Sequence, residues 1–161
     1  AILVYVSRIS AYAPLDVEGT VVNTVTVSGG GLPESLVASE TVETADSPVL
    51  SITKTLSPTS VPENGTITYG FLVENRGNTA AVATDNLVIS DVFDPILDIT
   101  SVTLNGTLLV EGTDYTYDET TGAFATLPGV ITLPAATFTQ GADGAYTVDP
   151  GEAVLTVVGT I

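Results

Sequence analysis

Cysteine, methionine, tryptophan and histidine are all absent from these 161 residues. Without cysteine there are no disulfides, no thiolate metal sites and no dithiol redox chemistry. Without histidine or cysteine the usual general base and thiol nucleophile are missing, and no G-x-S-x-G elbow offers a serine in their place. Hydrolase chemistry therefore has no machinery here, and the chain reads as a non-enzyme. An acid-pair glycosidase survives on residue content alone, yet nothing places two carboxylates around a sugar cleft. Aromatic residues are only six tyrosines and four phenylalanines, a poor platform for carbohydrate. Basic residues are nearly missing too: three Lys+Arg stand against nineteen Asp+Glu, for a formal net charge of −16. Nucleic acid needs a basic footprint that three cations cannot supply, and anionic membranes are disfavoured for the same reason. No run of eighteen apolar residues occurs, so no membrane-inserting helix is expected. No cofactor is expected either. The chain has no initiator methionine and no basic-plus-apolar leader, so it is expected to be a processed or excised piece of a longer product.

What is present is threonine, valine, 44% apolar content, fifteen glycines and nine prolines. That is the profile of an all-β protein, and no helical period of useful length appears. This length suits one good core with room for an extension, but not two ordinary domains. "AILVYVSRI" opens as a strand, and "GTVVNTVTVS" is a second that turns through "GGGLPE" into an antiparallel partner, "SLVASETVET". After "DSP" comes "LSITKTLS", then the turn "PENG" and the strand "TITYGFLVEN", whose inward set is Ile67, Tyr69, Phe71, Val73 and Asn75. "RGNTAAVATD" loops across to "NLVISDVF", and Asn105-Gly106 marks a two-residue hairpin turn. Further strands are expected near 114–118, 122–126, 129–133, 144–148 and 152–161. Strands at this spacing predict an Ig-like antiparallel β-sandwich.

The chain's one lysine stands where polar residues do not belong. With the period of two of a strand, Leu50, Ile52, Lys54 and Leu56 share a face. By the same rule Asn23 lies with Val21, Val25 and Val27, and Asp91 lies with Leu87, Ile89 and Phe93. Three polar groups of complementary type thus each sit on an apolar stripe. A lone buried charge costs several kcal/mol, so they are expected to find one another.

The two ends of the chain also resemble each other. "AILVYVSRI" and "AVLTVVGTI" match at Ala1/Ala153, Leu3/Leu155, Val6/Val158 and Ile9/Ile161, an offset of 152 positions. Read as a repeat, residues 1–47 are the closing strands and linker of a preceding or neighbouring sandwich. Residues 48–161 are then the next sandwich, lacking its final strand. Such a sandwich exposes an apolar groove and open edges that the next repeat, or the leading segment of another copy, must fill.

The stretches "LSITKTLSPTSVPENGTITYGFLVENRGN", "NLVISDVFDP", "DPGEAVLTVVGTI" and "GTVVNTVTVSG" resemble a repeat family of bacterial surface proteins. That family is a conserved domain of unknown function found in long arrays of Ig-like sandwiches. The likeness covers nearly the whole chain in shifted order, since the family's closing "NTVTVSG" strand stands first here. It implies a structural role at the cell surface or outside the cell, built from copies of the chain or adjacent repeats. The lack of disulfides in such a protein points to a bacterial or archaeal surface. More distantly, the chain is similar to adhesin and pilin sandwiches that cross-link themselves through a lysine–asparagine isopeptide bond. That likeness implies a bond between Lys54 and Asn23, with Asp91 as proton shuttle and Asn75 as the rival amide partner. Burial favours the uncharged forms of an amine and a carboxyl group. In those forms Lys54 attacks the Asn23 carboxamide carbon, Asp91 relays protons and ammonia leaves.

Other readings stand beside this one. Lys54 and Asp91 can form a plain buried ion pair with Asn23 satisfying leftover hydrogen bonds, or Lys54 can extend its amine to water from a strand edge. Asn75, just before "RGN", also fits a turn former. Because Asn23 precedes Lys54, the bond would staple subunits into a fibre, or staple each sandwich of an array internally. A strand folded back into its own sandwich ranks last. A module whose loops present an adhesive surface to a host or matrix ligand is the alternative function.

Minor motifs are weaker. "EGTDYTYDE" gathers Glu111, Asp114, Asp118 and Glu119, oxygen ligands of the type calcium takes, without the spacing of an EF-hand loop. "LPES" and "LPAAT" match a sorting signal only in two letters, and the sequons at Asn64 and Asn105 read better as turns.

Overall fold

The computed structural model describes residues 2–13 and 19–161. Among the described residues the strands follow in order: β1 (Thr20–Val27), β2 (Leu36–Glu43), β3 (Leu50–Ser57), β4 (Thr66–Asn75), β5 (Ser90–Val92), β6 (Asp98–Leu104), β7 (Thr107–Leu108), β8 (Tyr115–Asp118), β9 (Ala123–Thr126), β10 (Thr137–Gln140), β11 (Tyr146–Asp149) and β12 (Gly151–Thr160). A single 3-10 turn, Ala83–Asp85, is the helical element among the described residues. The fold is all-β, with every paired strand antiparallel to its neighbour. Ala1, needed for one of the four terminal matches, lies outside the described residues.

Two compact units divide the chain. One groups residues up to Asp46 with Thr137–Asp149; the other is Ser47–Ala136 with Pro150–Ile161. The second unit is the sandwich. Its larger sheet has the order β3-β4-β12-β6-β7, and its smaller sheet the order β5-β9-β8. The alternation expected of "TITYGFLVEN" is present: Ile67, Tyr69, Phe71, Val73 and Asn75 are all buried. β12 runs between β4 and β6 and buries Ala153, Leu155 and Val157. From the smaller sheet, Phe93 and Phe124 close the core, with Phe93 packed 4.9 Å from the Tyr69 ring and 5.8 Å from Phe124. Each such side chain contributes about 1.5–3 kcal/mol through burial. Asn105 and Gly106 take φ values of 50° and 80°, the left-handed pair that a tight hairpin turn between β6 and β7 requires.

Glycine at position 77 is dictated by packing. A Cβ there would lie 2.2 Å from the Ser47 carbonyl oxygen and 2.6 Å from the Val49 amide nitrogen. The chain entering β3 is thus pressed against the turn leaving β4.

Several strands differ from the sequence expectation. Residues 2–9 form no strand, and Ile2, Leu3, Val4 and Val6 are exposed. This apolar, β-branched run has no strand to pair with among the described residues, and composition alone makes no ladder. Residues 129–133 contribute only the bridge Ala81–Leu133, because Pro128 and Pro134 flank them and Gly129 turns at φ 85°. "NLVISDVF" is reduced to the three residues of β5. The pair β10–β11 was not expected as a hairpin, and residues 137–149 group with the first unit rather than with a continuous 48–161 sandwich. There the Tyr146 amide bonds to the Ala11 carbonyl at 2.7 Å.

Candidate functional site: the open groove beside β3

In the β3–β4 register Leu50 faces Asn75, Ile52 faces Val73, Lys54 faces Phe71 and Leu56 faces Tyr69. Cross-strand partners share a face, so these four β3 side chains point toward the core side of the sheet. Their partners are at most 6% exposed, whereas Leu50, Ile52 and Leu56 are 38%, 58% and 44% exposed. The smaller sheet explains the contrast. It ends at β5, and among the described residues no strand lies beyond β5 to cover β3. β3 and β5 are therefore both edge strands with an apolar trough between them. Leu50, Ile52, Val73, Leu87, Ile89 and Ile131 line a groove of about 210 Å³ at one end of it.

Lys54 marks the middle. Its Nζ donates to Asp91 Oδ2, and it sits 5.0 Å from the Tyr69 ring centre, 5.7 Å from Phe71 and 5.9 Å from Phe93. Those distances lie within the range of cation–π attraction. Asp91 Oδ1 accepts from the Val92 amide at 3.0 Å. The Lys54 side chain stays 43% exposed and Asp91 18%. Lys54 thus faces inward as its spacing requires, but it is not buried, because nothing covers β3. The aromatic floor beneath the amine escaped the sequence reading. It was recoverable, since Phe93 follows Asp91 by two positions on the same face and Tyr69 and Phe71 alternate on β4.

The other residues singled out by sequence are placed elsewhere. Asn23 belongs to the first unit, on the face of β1 that carries Val21, Val25 and Val27, and its Nδ2 donates to the Tyr5 hydroxyl. Asn75 is not brought to Lys54. It stands four positions along β4 from Phe71, about 13 Å at strand spacing. Every polar atom of its side chain is engaged: Oδ1 accepts from the amides of Val49 and Gly77, each at 3.0 Å, and Nδ2 donates to the carbonyls of Thr79 at 2.8 Å and Pro134 at 2.9 Å.

The acidic loop is built from turn chemistry. Asp114 Oδ2 accepts the Val110 amide at 2.8 Å, and Asp118 Oδ1 accepts the Thr120 amide at 2.8 Å and its hydroxyl at 2.6 Å. Among the described residues no group of three or more acidic side chains, Glu119 included, could hold a metal ion. The Thr120 hydroxyl, then its amide, then the Thr121 hydroxyl hold the Asp118 carboxyl down to about 2 from an ordinary 3.8. Burial raises the Tyr115 phenol, and the negative charge of Glu111 adds to the effect. A depressed carboxyl stabilises the fold above its unfolded value and loses that contribution as pH falls through its folded value. The Asp118 carboxyl carbon is expected to titrate near pH 2 by NMR and to move back toward 3.8 in Thr120→Val. A midpoint near 3.8 in the parent chain would show that the turn does not hold the carboxylate.

Comparison with protein-family models, with curated proteins and with solved structures finds no match to this chain.

Proposed function

We propose that the chain is a structural module of an extracellular or cell-surface fibre or stalk. In this reading its sandwich is completed by a strand from an adjacent copy or repeat, and Lys54 is placed to be stapled to that strand. The observation that carries the reading is the uncovered inward face of β3, with the Lys54–Asp91 pair at its centre. An exposed apolar edge of this kind is a liability that proteins cover or use. β1 is suited to cover it, being an uncharged eight-residue strand with three valines and one asparagine on a face. Strand addition of this type takes its affinity from main-chain hydrogen bonds and its specificity from alternate side chains. The resemblance to arrays of Ig-like surface repeats, read from the quoted motifs, agrees with a structural role. The net charge of −16 would keep such a polymer soluble and would discourage association through other faces.

With Asn23 of the incoming strand beside Lys54, an isopeptide bond becomes available. The new bond joins Lys54 Nζ to Asn23 Cγ, the old Cγ–Nδ2 bond breaks, and the displaced nitrogen leaves as ammonia. Asp91, bonded to the amine, would move the protons. A denaturing gel with intact-mass analysis before and after boiling tests this. Bands that survive boiling, each link lighter by one ammonia and yielding a Lys54–Asn23 peptide, are expected. A single band at the unmodified mass would remove the covalent staple and leave a fibre held by strand pairing alone.

A further inference from the structure

The smaller sheet of the sandwich has three strands and the sheet it faces has five. A single added strand would leave that deficit half filled. In the first unit β1 is paired along all eight of its residues with β2, from Thr20↔Glu43 to Val27↔Leu36. Every residue of both strands is exposed, so neither face of this hairpin is buried; on the Asn23 face the Tyr5 hydroxyl accepts from Asn23 Nδ2 and must move aside for docking. A two-stranded hairpin without a packed face is marginal in water, and one side of this hairpin is ready to be covered. The register puts Val21 against Val42, Val25 against Ala38 and Val27 against Leu36, all on one face. At the middle of that face Asn23 and Glu40 stand side by side.

We propose that the groove beside β3 takes the β1–β2 hairpin of a second copy whole. β1 lies along the open edge of β5 with β2 outermost, so that the three-stranded sheet becomes five-stranded. The inference rests on strand complementation as proposed above and names the partner element. Charge complementarity supports it. The Lys54 ammonium has three donors, and Asp91 takes one. The amide oxygen of Asn23 and the carboxylate of Glu40 are what the hairpin brings to the half-exposed amine. β3 carries no other charge, and β1 carries none, so nothing else on either strand opposes the approach. β1, β2 and the strand β3 that they would cover each span eight residues, while β5 offers three for direct pairing. Among the described residues β1 pairs with β2 alone, so its other edge is open to β5 and the hairpin need not open.

The absence of native cysteine makes the test clean. Thr24 and Ser39 are directly opposed, their hydroxyl oxygens 2.9 Å apart, on the face turned away from Asn23. In Thr24→Cys/Ser39→Cys an oxidised disulfide locks β1 to β2. Size-exclusion chromatography with light scattering, run over a range of concentrations on the full chain, reads assembly in both redox states. Equal assembly of the oxidised and reduced forms is expected. Assembly of the reduced form alone would overturn the inference, because β1 must then peel away from β2. If neither form assembles while the parent chain does, Thr26→Cys/Val37→Cys, one rung along the same face, is read the same way. Failure of both reduced variants would mean that the outward face is needed, which also overturns it. A parent chain that stays monomeric throughout would remove self-complementation itself, and the hairpin inference with it.

Discussion

Replacing Asn75 with alanine is expected to lower the unfolding free energy by about 3–5 kcal/mol, close to the limit for a single substitution that removes a buried network. The side chain is fully buried and makes four bonds, all to main chain. They join three segments distant in sequence: the entry to β3 at Val49, the turn at Gly77 and Thr79, and the loop at Pro134. Alanine would strand two amides and two carbonyls at a point where Gly77 already leaves no room for the chain to shift. Aspartate does not rescue, because its second oxygen would face the Thr79 and Pro134 carbonyls. Urea unfolding of the sandwich measures the loss. A change below about 1 kcal/mol would show that solvent or a rearranged turn replaces the amide.

If an added strand completes the sandwich as proposed, Ile52→Lys is expected to separate folding from assembly. Ile52 is 58% exposed, so the substitution should change the stability of the isolated chain by no more than about 0.5 kcal/mol. The same position lies in the floor of the groove, where an incoming strand would bury the new ammonium without a carboxylate beside it. At about 2–4 kcal/mol for that unpaired charge, association should weaken by roughly thirty- to a thousand-fold. Light scattering of the variant and parent at matched concentrations reads the difference, and urea unfolding supplies the control. Undiminished association of a normally stable variant would place the contact on another surface.

The parts of the fold legible in sequence were those dictated by local chemistry. Period-two alternation named the buried set of β4 because that strand lies between two others and under a second sheet. The Asn105-Gly106 turn was legible because few other residues adopt two successive left-handed conformations. Where a strand depends on a neighbour, sequence could not find it. Residues 2–9 are as rich in apolar and β-branched side chains as any strand here, yet composition contains no information about whether a partner is alongside. The same gap separated direction from burial at Lys54. Its spacing placed it on the inward face, but its exposure depends on how far the opposite sheet extends, which is a property of the strand count. Asn75 could be read as inward, cross-linking or turn-forming from its position alone. Only the convergence of four main-chain groups from three segments gives it one role.

The registers of β3, β4 and β12 have a mechanical consequence. Leu50 and Gly151 both stand opposite Asn75, while Thr160 stands opposite Thr66 at the far end of β4. The chain therefore enters this sheet at one end and leaves β12 at the other. Tension drawn between Leu50 and Thr160 would slide β3 and β12 in opposite senses past β4. That loads both ladders in shear, so their hydrogen bonds must fail together rather than unzip in turn. Rupture under force is governed by the unfolding rate rather than by equilibrium stability. Ten paired residues between β4 and β12 would then let a modestly stable sandwich serve as a strong link.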